Sequence, residues 1–552
     1  MVEIKGLTHR FGSQLLFEDV NLKLNSHNRY GLIGANGAGK STFLKILSSQ
    51  VEHTSGDIII ESGKKIGVLG QDQFAFENFT LKDAVLWGNK RLYDAIKEKE
   101  KLYLSEEFTD EINERLSELE IITAEEDPTY EYETRIEKIL SSLGLHEYDK
   151  LMSEIESSDK VKILLAQVLF PKPDILFLDE PTNNLDIDAI AWLERELINH
   201  EGTLVVISHD RHFLNRVCTH ILDVDFKQIR EFSGNYDDWY IAANLVAKQA
   251  EMERDKKLKE REELEKFIAR FSANASKAKQ ATSRAKQLEK LQINEIKISS
   301  RRDPSILFRT NREIGNELIE LTAINKKFDD NVILDNFNFK MNKGDKIAII
   351  GTNGVGKSTL CKILMSELEA DSGKVHIGAT IELGYFAQDS SNKITGTLKL
   401  YEWLQDSKNK DLDEIRKCLG RMLFSGTEQE KEVGSLSGGE KHRLMLSKLM
   451  LQRANLLILD EPNNHLDLEA IIALGEALYN FSGSCICVSH DRELIDAFAN
   501  RILHLKGDGQ IVDFKGSYEE YRAAYGLDEK WYKFGLTQIP LLSRVTPLLL
   551  IL

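Results

Sequence analysis

Two stretches of this 552-residue sequence have the spacing of a phosphate-binding loop. Gly34-Ala-Asn-Gly37-Ala-Gly39-Lys40-Ser41 and Gly351-Thr-Asn-Gly354-Val-Gly356-Lys357-Ser358 both read G-x-x-x-x-G-K-S. Glycines there let the backbone curl until its N–H groups face phosphate oxygens. The lysine reaches the β- and γ-phosphates, and the serine holds Mg²⁺. The candidate binding residues are Gly34, Asn36, Gly37, Gly39, Lys40, Ser41 and Thr42, and then Gly351, Asn353, Gly354, Gly356, Lys357, Ser358 and Thr359. An apolar run precedes each loop and a helical pattern follows it. That is strand, loop, helix, with the helix N-terminus adding a positive dipole end.

Two apolar runs end in a pair of acids: Ile175-Leu-Phe-Leu-Asp179-Glu180 and Leu456-Leu-Ile-Leu-Asp460-Glu461. Runs this apolar predict strands buried on both faces of a parallel sheet, whose C-terminal edge is where ligands bind. Asp179 and Asp460 would hold Mg²⁺ through water. Glu180 and Glu461 would polarise the attacking water, because phosphoryl transfer needs a positioned nucleophile. Leu436-Ser437-Gly438-Gly439-Glu440 opens a further helical pattern, and a serine with two glycines at a helix N-terminus suits an anion.

The elements that must position these residues come as an internal repeat. The phosphate loops and Gln71/Gln388 recur at an offset of 317, whereas Asp179/Asp460 and His209/His490 recur at 281. The first copy therefore carries 36 extra residues between Gln71 and Asp179 (317 − 281). Lys90 to Pro128, with Leu92, Ile96, Ile112, Leu116 and Leu119 at helical spacing, predicts a two-helix hairpin arm. Asn244 to Arg302 reads as a charged helical pair with a break near Ser272–Lys279, a stripe of Leu258, Leu264, Phe267, Ile268 and Phe271, and a second helix carrying Ala281, Ala285 and Leu288. The expected organisation is 1–240, with the arm at about 90–128; a stiff linker, 241–316; a second copy, 317–525; and a tail, 526–552, with no assigned role. The fold class is α/β.

Composition sets limits on partners. With 42% hydrophobic and 29% charged residues the chain reads as globular. Five cysteines make no disulfide framework, which predicts a reducing, cytoplasmic compartment. Neither a secretory leader nor a membrane-spanning run is present in the sequence, so no membrane partner is expected. A net charge of −17 argues at first against nucleic acid. Residues 244–302, however, hold 16 basic and 9 acidic side chains, +7, which leaves −24 on the remainder. Such asymmetry points to a nucleic-acid-contacting arm on an acidic body.

The combination of phosphate loop, Leu-Ser-Gly-Gly, Asp-Glu and a downstream histidine resembles that of ATP-binding-cassette ATPases. Two cassettes joined by a charged helical linker resemble the ABC-F family, and within it the YbiT-like branch. The residues that carry this are Tyr30-Gly-Leu-Ile-Gly-Ala-Asn-Gly37, Gln71-Asp-Gln-Phe-Ala-Phe76, Glu180-Pro-Thr-Asn-Asn-Leu-Asp186 and Arg270-Phe-Ser-Ala-Asn-Ala-Ser-Lys277 through Arg284. The resemblance implies two tandem P-loop ATPase domains closing head to tail on ATP and Mg²⁺ within a monomer. Site one would pair Lys40, Ser41, Gln71, Asp179, Glu180 and His209 with Ser437, Gly438 and Gly439. Site two would pair Lys357, Ser358, Gln388, Asp460, Glu461 and His490 with the first copy's signature. Gln71 and Gln388 would also touch the metal, and Phe11 and Phe328 would stack on adenine. The implied partner is the ribosome, contacted as rRNA and tRNA through the linker and the arm, with Arg270, Lys277, Lys279, Arg284 and Lys286 as the RNA-contacting residues. A transporter's ATPase subunit and an antibiotic-protection factor are the competing readings. Glu180 and Glu461 speak for retained hydrolysis, and the cysteine-poor N-terminus excludes the iron–sulfur recycling type.

The two sites differ in sequence. Aligning Leu165-Ala-Gln167 with Leu446-Ser-Lys448 sets Ile155-Glu156-Ser157-Ser158-Asp159 opposite Leu436–Glu440. Glu156 stands where the serine would meet the γ-phosphate, a like charge in a partly dry site. Ser157 and Ser158 replace glycines that allow close approach. Site one is therefore expected to turn over faster than site two. Asn463 replaces a threonine and touches only the local loop of site two.

Overall fold

The apolar runs that end in acids are interior strands of two similar sheets. The structure, a computed structural model, describes all residues except 13, 71–73, 105–108, 272–282, 285, 287, 289–302, 316, 330, 389–393, 406–410, 465 and 526–552. It divides into two compact units. One comprises 1–306 with 390–448 and 463–473, and the other comprises 307–389, 449–462 and 474–552.

The first unit contains β1 (Val2–Phe11), β2 (Gln14–Leu24), β3 (Arg29–Gly34), β4 (Ser55–Ile60), β5 (Ile66–Val68), β6 (Ile175–Asp179), β7 (Thr203–Ile207), β8 (His220–Asp225) and β9 (Gln228–Ser233). Strands β2-β1-β4 form an antiparallel sheet, and β5-β6-β7-β3-β8-β9 form a six-stranded sheet that is parallel up to β8. Strand alternation divides its core into two faces. Tyr30, Leu32, Ile175, Phe177, Val205 and Ile207 pack on one side. Ile33, Leu176, Leu178, Leu204 and Val206 pack on the other. Val2, Ile4, Phe17 and Leu22 of the antiparallel sheet help to cover the first face, so these strands are buried on both sides, as parallel strands usually are.

The helices are α1 (Lys40–Leu47), α2 (Leu81–Leu86), α3 (Lys90–Tyr103), α4 (Asp110–Glu126), α5 (Tyr132–Ser142), α6 (Ser157–Leu169), α7 (Ile187–Ile198), α8 (Arg211–Val217) and α9 (Tyr236–Phe271). Helices α3 and α4 form a hairpin where the extra residues of the first copy were placed. Asn89 and Thr109 cap them by accepting from the amides of Leu92 and Ile112. Leu92, Ile96 and Leu119 are buried. Arg115 on α4 grips Glu98 on α3 through Nε and Nη2, at 2.7 and 2.9 Å. The 36-residue α9 begins the predicted linker. Leu264 is buried, whereas the expected break at 272–279 and the positions Ala281 and Ala285 lie outside the described residues.

The second unit repeats the plan. Its strands are β10 (Ile319–Phe328), β11 (Asn331–Met341), β12 (Lys346–Gly351), β13 (Ser372–Ile377), β14 (Leu383–Phe386), β15 (Leu456–Asp460), β16 (Ser484–Val488), β17 (Arg501–Gly507) and β18 (Gln510–Lys515). They form sheets β11-β10-β13 and β14-β15-β16-β12-β17-β18, the same order as in the first unit.

Candidate active site

Each phosphate loop leaves the C-terminal end of its central strand and enters a helix whose N-cap is a left-handed glycine. Gly39 has φ +97° and Gly356 φ +105°. Gly37 and Gly354, at +81° and +75°, share that region. A side chain is strained at each. A Cβ on Gly356 would also collide with Ile333, and one on Gly39 would press on Leu16 at 3.3 Å. Lys40 Nζ donates to the carbonyls of Gly34 and Ala35 at 2.7 and 3.2 Å. Lys357 Nζ does the same to Gly351 and Thr352, both at 2.9 Å. Both lysines are buried. Burial lowers the pKa of Lys40, while Glu180, Asp467, Glu469 and Asp179 oppose that shift. Ser41 and Thr42 open α1, and Ser358 and Thr359 open the helix Lys357–Leu364.

The acids at the ends of β6 and β15 sit on identical turns. Glu180 and Glu461 have φ of +49° and +50°, a region that costs a non-glycine residue about 1–3 kcal/mol. Their amides still bond the neighbouring strand: Glu180 N to Ile207 O at 2.9 Å, and Glu461 N to Val488 O at 3.0 Å. The turn therefore starts only after the sheet has been paired. His209 Nε2 lies 3.2 Å from Glu180 Oε1, and His490 Nε2 lies 3.5 Å from Glu461 Oε1. Burial pushes Glu180 up to about 7; Lys40 opposes and Asp179 adds to the rise. Burial pushes Glu461 up to about 8; Lys357 opposes, and Asp460 and Asp491 add. A carboxyl with a raised folded pKa contributes stability that is present below its unfolded pKa and is lost as pH rises through the folded value. In metal- and nucleotide-free protein, Glu180→Gln and Glu461→Gln should therefore raise the melting temperature at pH 8.5 and not at pH 4.5. The gain at high pH is on the order of 3 kcal/mol for Glu180. Equal shifts at both pH values in thermal scans would show that the carboxyls are not held neutral.

The first unit brings most of the site-one candidates together. A cleft of about 520 Å³ is lined by Phe11, Asn36, Gly37, Gly39, Lys40, Ser41, Thr42, Asp179, Glu180 and His209, and on the same cleft by Ser437, Gly438 and Gly439. Phe11 is 75% exposed at its edge. The donors suit a nucleotide with Mg²⁺, which takes one or two protein oxygens and keeps several waters. Ser41 and Asp179 would supply those oxygens, and among the described residues no cluster of three or more His, Cys, Asp or Glu offers a dedicated metal cage. When bound, the ion would neutralise phosphate charge. The family description "ABC transporter" matches residues 17–183 and 334–464, and an extension of the same description matches 222–308. The probable ATP-binding protein YbiT of Escherichia coli O157:H7 is 44% identical over 532 residues, 96% of this chain and 100% of that one. The energy-dependent translational throttle protein EttA of Haemophilus influenzae is 32% identical over 95% of each. The chain is an ABC-F ATPase. The fold also matches the archaeal ribosome recycling factor aABCE1, solved with the stalk protein aP1, at a TM-score of 0.60 and 18% identity over 95% of this chain and 92% of that one.

Within this ABC-F ATPase the segments 155–159 and 436–440 each lead into a helix and differ in chemistry. The helix Gly438–Gln452 starts after Ser437, and α6 starts after its N-cap, Glu156. Ser437 donates its amide and hydroxyl to Glu440 Oε2 at 2.8 and 2.7 Å, and Lys431 Nζ holds Glu440 Oε1 at 3.0 Å. Burial alone would raise Glu440, but Ser437 and Lys431 outweigh it and hold the carboxyl low. Glu156 makes no side-chain cap bond.

The structure leaves some candidates outside this cleft. In the second unit Gln388 is exposed in the turn after β14, and Phe328 is half exposed beneath Lys326 Nζ, 5.3 Å from the ring centre. Asn353, Gly351, Asp460 and His490 belong to that unit, while 155–159 belong to the first. Gln71, Lys277 and Lys279 lie outside the described residues, as does the side chain of Arg270; Arg284 and Lys286 are helical and exposed. The sequence reading had not singled out Leu16 and Asn183, which line the cleft, or Asp467 and Glu469, which act on Lys40. Asn183 lies within the Glu180–Asp186 motif, and that was the available signal.

Proposed function

We propose that this chain is a cytoplasmic translation factor that binds ATP between head-to-tail cassettes and uses hydrolysis to control its own residence on the ribosome. The observation that carries the reading is the cleft that joins the first phosphate loop, Glu180 and His209 to Ser437–Gly439. A site completed by a signature from the other sequence copy couples nucleotide to conformation, because γ-phosphate contacts hold the closed form. The translational role draws on EttA, named a translational throttle, and on the basic linker. Among the described residues no helix is long and apolar enough to cross a membrane.

In this reading site one, made of the loop 34–41 and the segment 436–440, is the faster site, and site two, with Glu156 in its signature, mainly retains ATP. Gln71 and Gln388 assist the metal, and Phe11 and Phe328 support adenine. The domains are cassettes 1–240 and 317–525, with the linker 241–316 meeting rRNA and tRNA in a monomer. The test is ribosome co-sedimentation of the Glu180→Gln, Glu461→Gln double variant. Pelleting with ribosomes in ATP and release in ADP is the expected result. Flotation with membranes, or no ATP-dependent pelleting, would overturn it.

A further inference from the structure

Three elements meet behind His209. Gly34, His209, Tyr236, Trp239, Leu468 and Glu469 surround a void of about 10 Å³, room for about one water. Tyr236 and Trp239 come from the first turn of α9 and are 3% and 5% exposed. They pack in one core with Phe213, Leu214 and Val217 of α8 and with Leu468.

The backbone around His209 has little freedom. Ser208 Oγ accepts from the amide of Asp210 at 3.1 Å, and Asp210 Oδ1 caps α8 through the amide of Phe213 at 3.0 Å. The next residue, Arg211, donates Nε to Asp237 Oδ1 at 2.7 Å. The Asp237 amide in turn donates to Asn215 Oδ1 at 2.9 Å, so α8 and α9 are clipped at two points. The start of α9 is itself closed by reciprocal bonds between Asn235 and Asp238, at 3.0 and 3.1 Å. The Arg211 guanidinium also lies over the rings of Tyr236 and Tyr240, at 5.8 and 5.9 Å. A rotation of the first turn of α9 must therefore drag Arg211, two residues from His209.

We propose that Asp237 is a positioning residue for site one: through Arg211 it sets the place of His209 against Glu180, and the linker helix thereby governs the rate of hydrolysis. Helix α9 continues for 36 residues, about 54 Å, so a load on its far end acts on this joint through a long rigid lever. The inference rests on the proposed role of His209 in hydrolysis. The Arg211 and Asp237 side chains are 31% and 45% exposed, and a pair so wet adds little stability. Its loss should therefore show in kinetics and not in folding.

The test compares the full chain with Asp237→Asn, Asp237→Glu, Arg211→Lys and His209→Ala, in steady-state ATPase assays with Mg²⁺ and without ribosomes. Asp237→Asn should lower kcat by about tenfold with KM within about twofold and an unchanged melting temperature. Asp237→Glu should restore most of the rate. Arg211→Lys keeps the charge but loses the Nε–H geometry; it should fall between them, and it carries the test if Asp237→Asn fails to fold. An impaired His209→Ala beside an unimpaired Asp237→Asn overturns this inference alone. An unimpaired His209→Ala overturns the reading of His209 and this inference with it.

Discussion

Glu180→Gln will lower steady-state ATP turnover by about 100-fold or more, whereas Glu461→Gln will lower it by less than about threefold. The two glutamates have almost the same surroundings: a left-handed turn, a histidine within 3.5 Å, burial and a nearby phosphate-loop lysine. The difference must come from what completes each site. Ser437 is a hydroxyl with two glycines behind it, held in register by Glu440 and Lys431. It reaches the site-one cleft and can give its proton to a γ-phosphate oxygen. Its counterpart in the repeat, Glu156, can only accept, and in the proposed site two it would bring a negative charge toward a negative group. Positioned donors contribute through the charge that develops in the transition state, so a site that lacks one loses rate before it loses binding. Single-turnover hydrolysis with each variant separates the sites. If Glu461→Gln abolished turnover and Glu180→Gln spared it, the assignment of the faster site would be reversed.

Much of this site could be read from residue order, because its chemistry is local. The phosphate loops need glycine at fixed intervals, and the structure puts Gly37, Gly39, Gly354 and Gly356 at positive φ. The acid-tipped strands needed to be apolar on both faces, and β6 divides its side chains between two cores. The count of 36 extra residues puts an insertion between Gln71 and Asp179, the stretch that holds α3 and α4, because insertion leaves the flanking motifs in register. What could not be read depends on which segments pack together. A repeat shows which residues correspond, not which ones touch, so nothing in it reveals that 390–448 and 463–473 group with the first 306 residues. The bond from Arg211 to Asp237 spans 26 positions, and although Arg211 recurs as Arg492, recurrence does not say which residue it touches. The left-handed turns at Glu180 and Glu461 were also hidden, since a strained φ on a glutamate has no compositional mark. It persists because the amide is already tied to the next strand.

Reversing three linker charges, Lys277→Glu, Lys279→Glu and Arg284→Glu together, should release the protein from ribosomes by about tenfold or more near physiological salt, while leaving ribosome-free ATPase within about twofold. Binding to a phosphate backbone is driven by counterion release, so each lost contact removes about 0.7–0.9 from the slope of log affinity against log salt. Three contacts predict a slope shallower by about 2. The residues sit where the acidic average is locally reversed. Between 266 and 290 there are seven basic side chains and one acid, on a chain of net −17. The bodies that carry the other −24 should be repelled by RNA, so this segment must supply the attraction. A solvated helix face would behave differently. Its charges would be interchangeable, the salt slope would not move, and co-sedimentation of the triple variant would match the parent. That outcome would take the RNA contact away from the linker. The ATPase assay without ribosomes guards against the other explanation, a damaged cassette. The three positions lie beyond the first turn of α9, where the linker joins site one, so a release with intact ATPase would assign the loss to RNA contact.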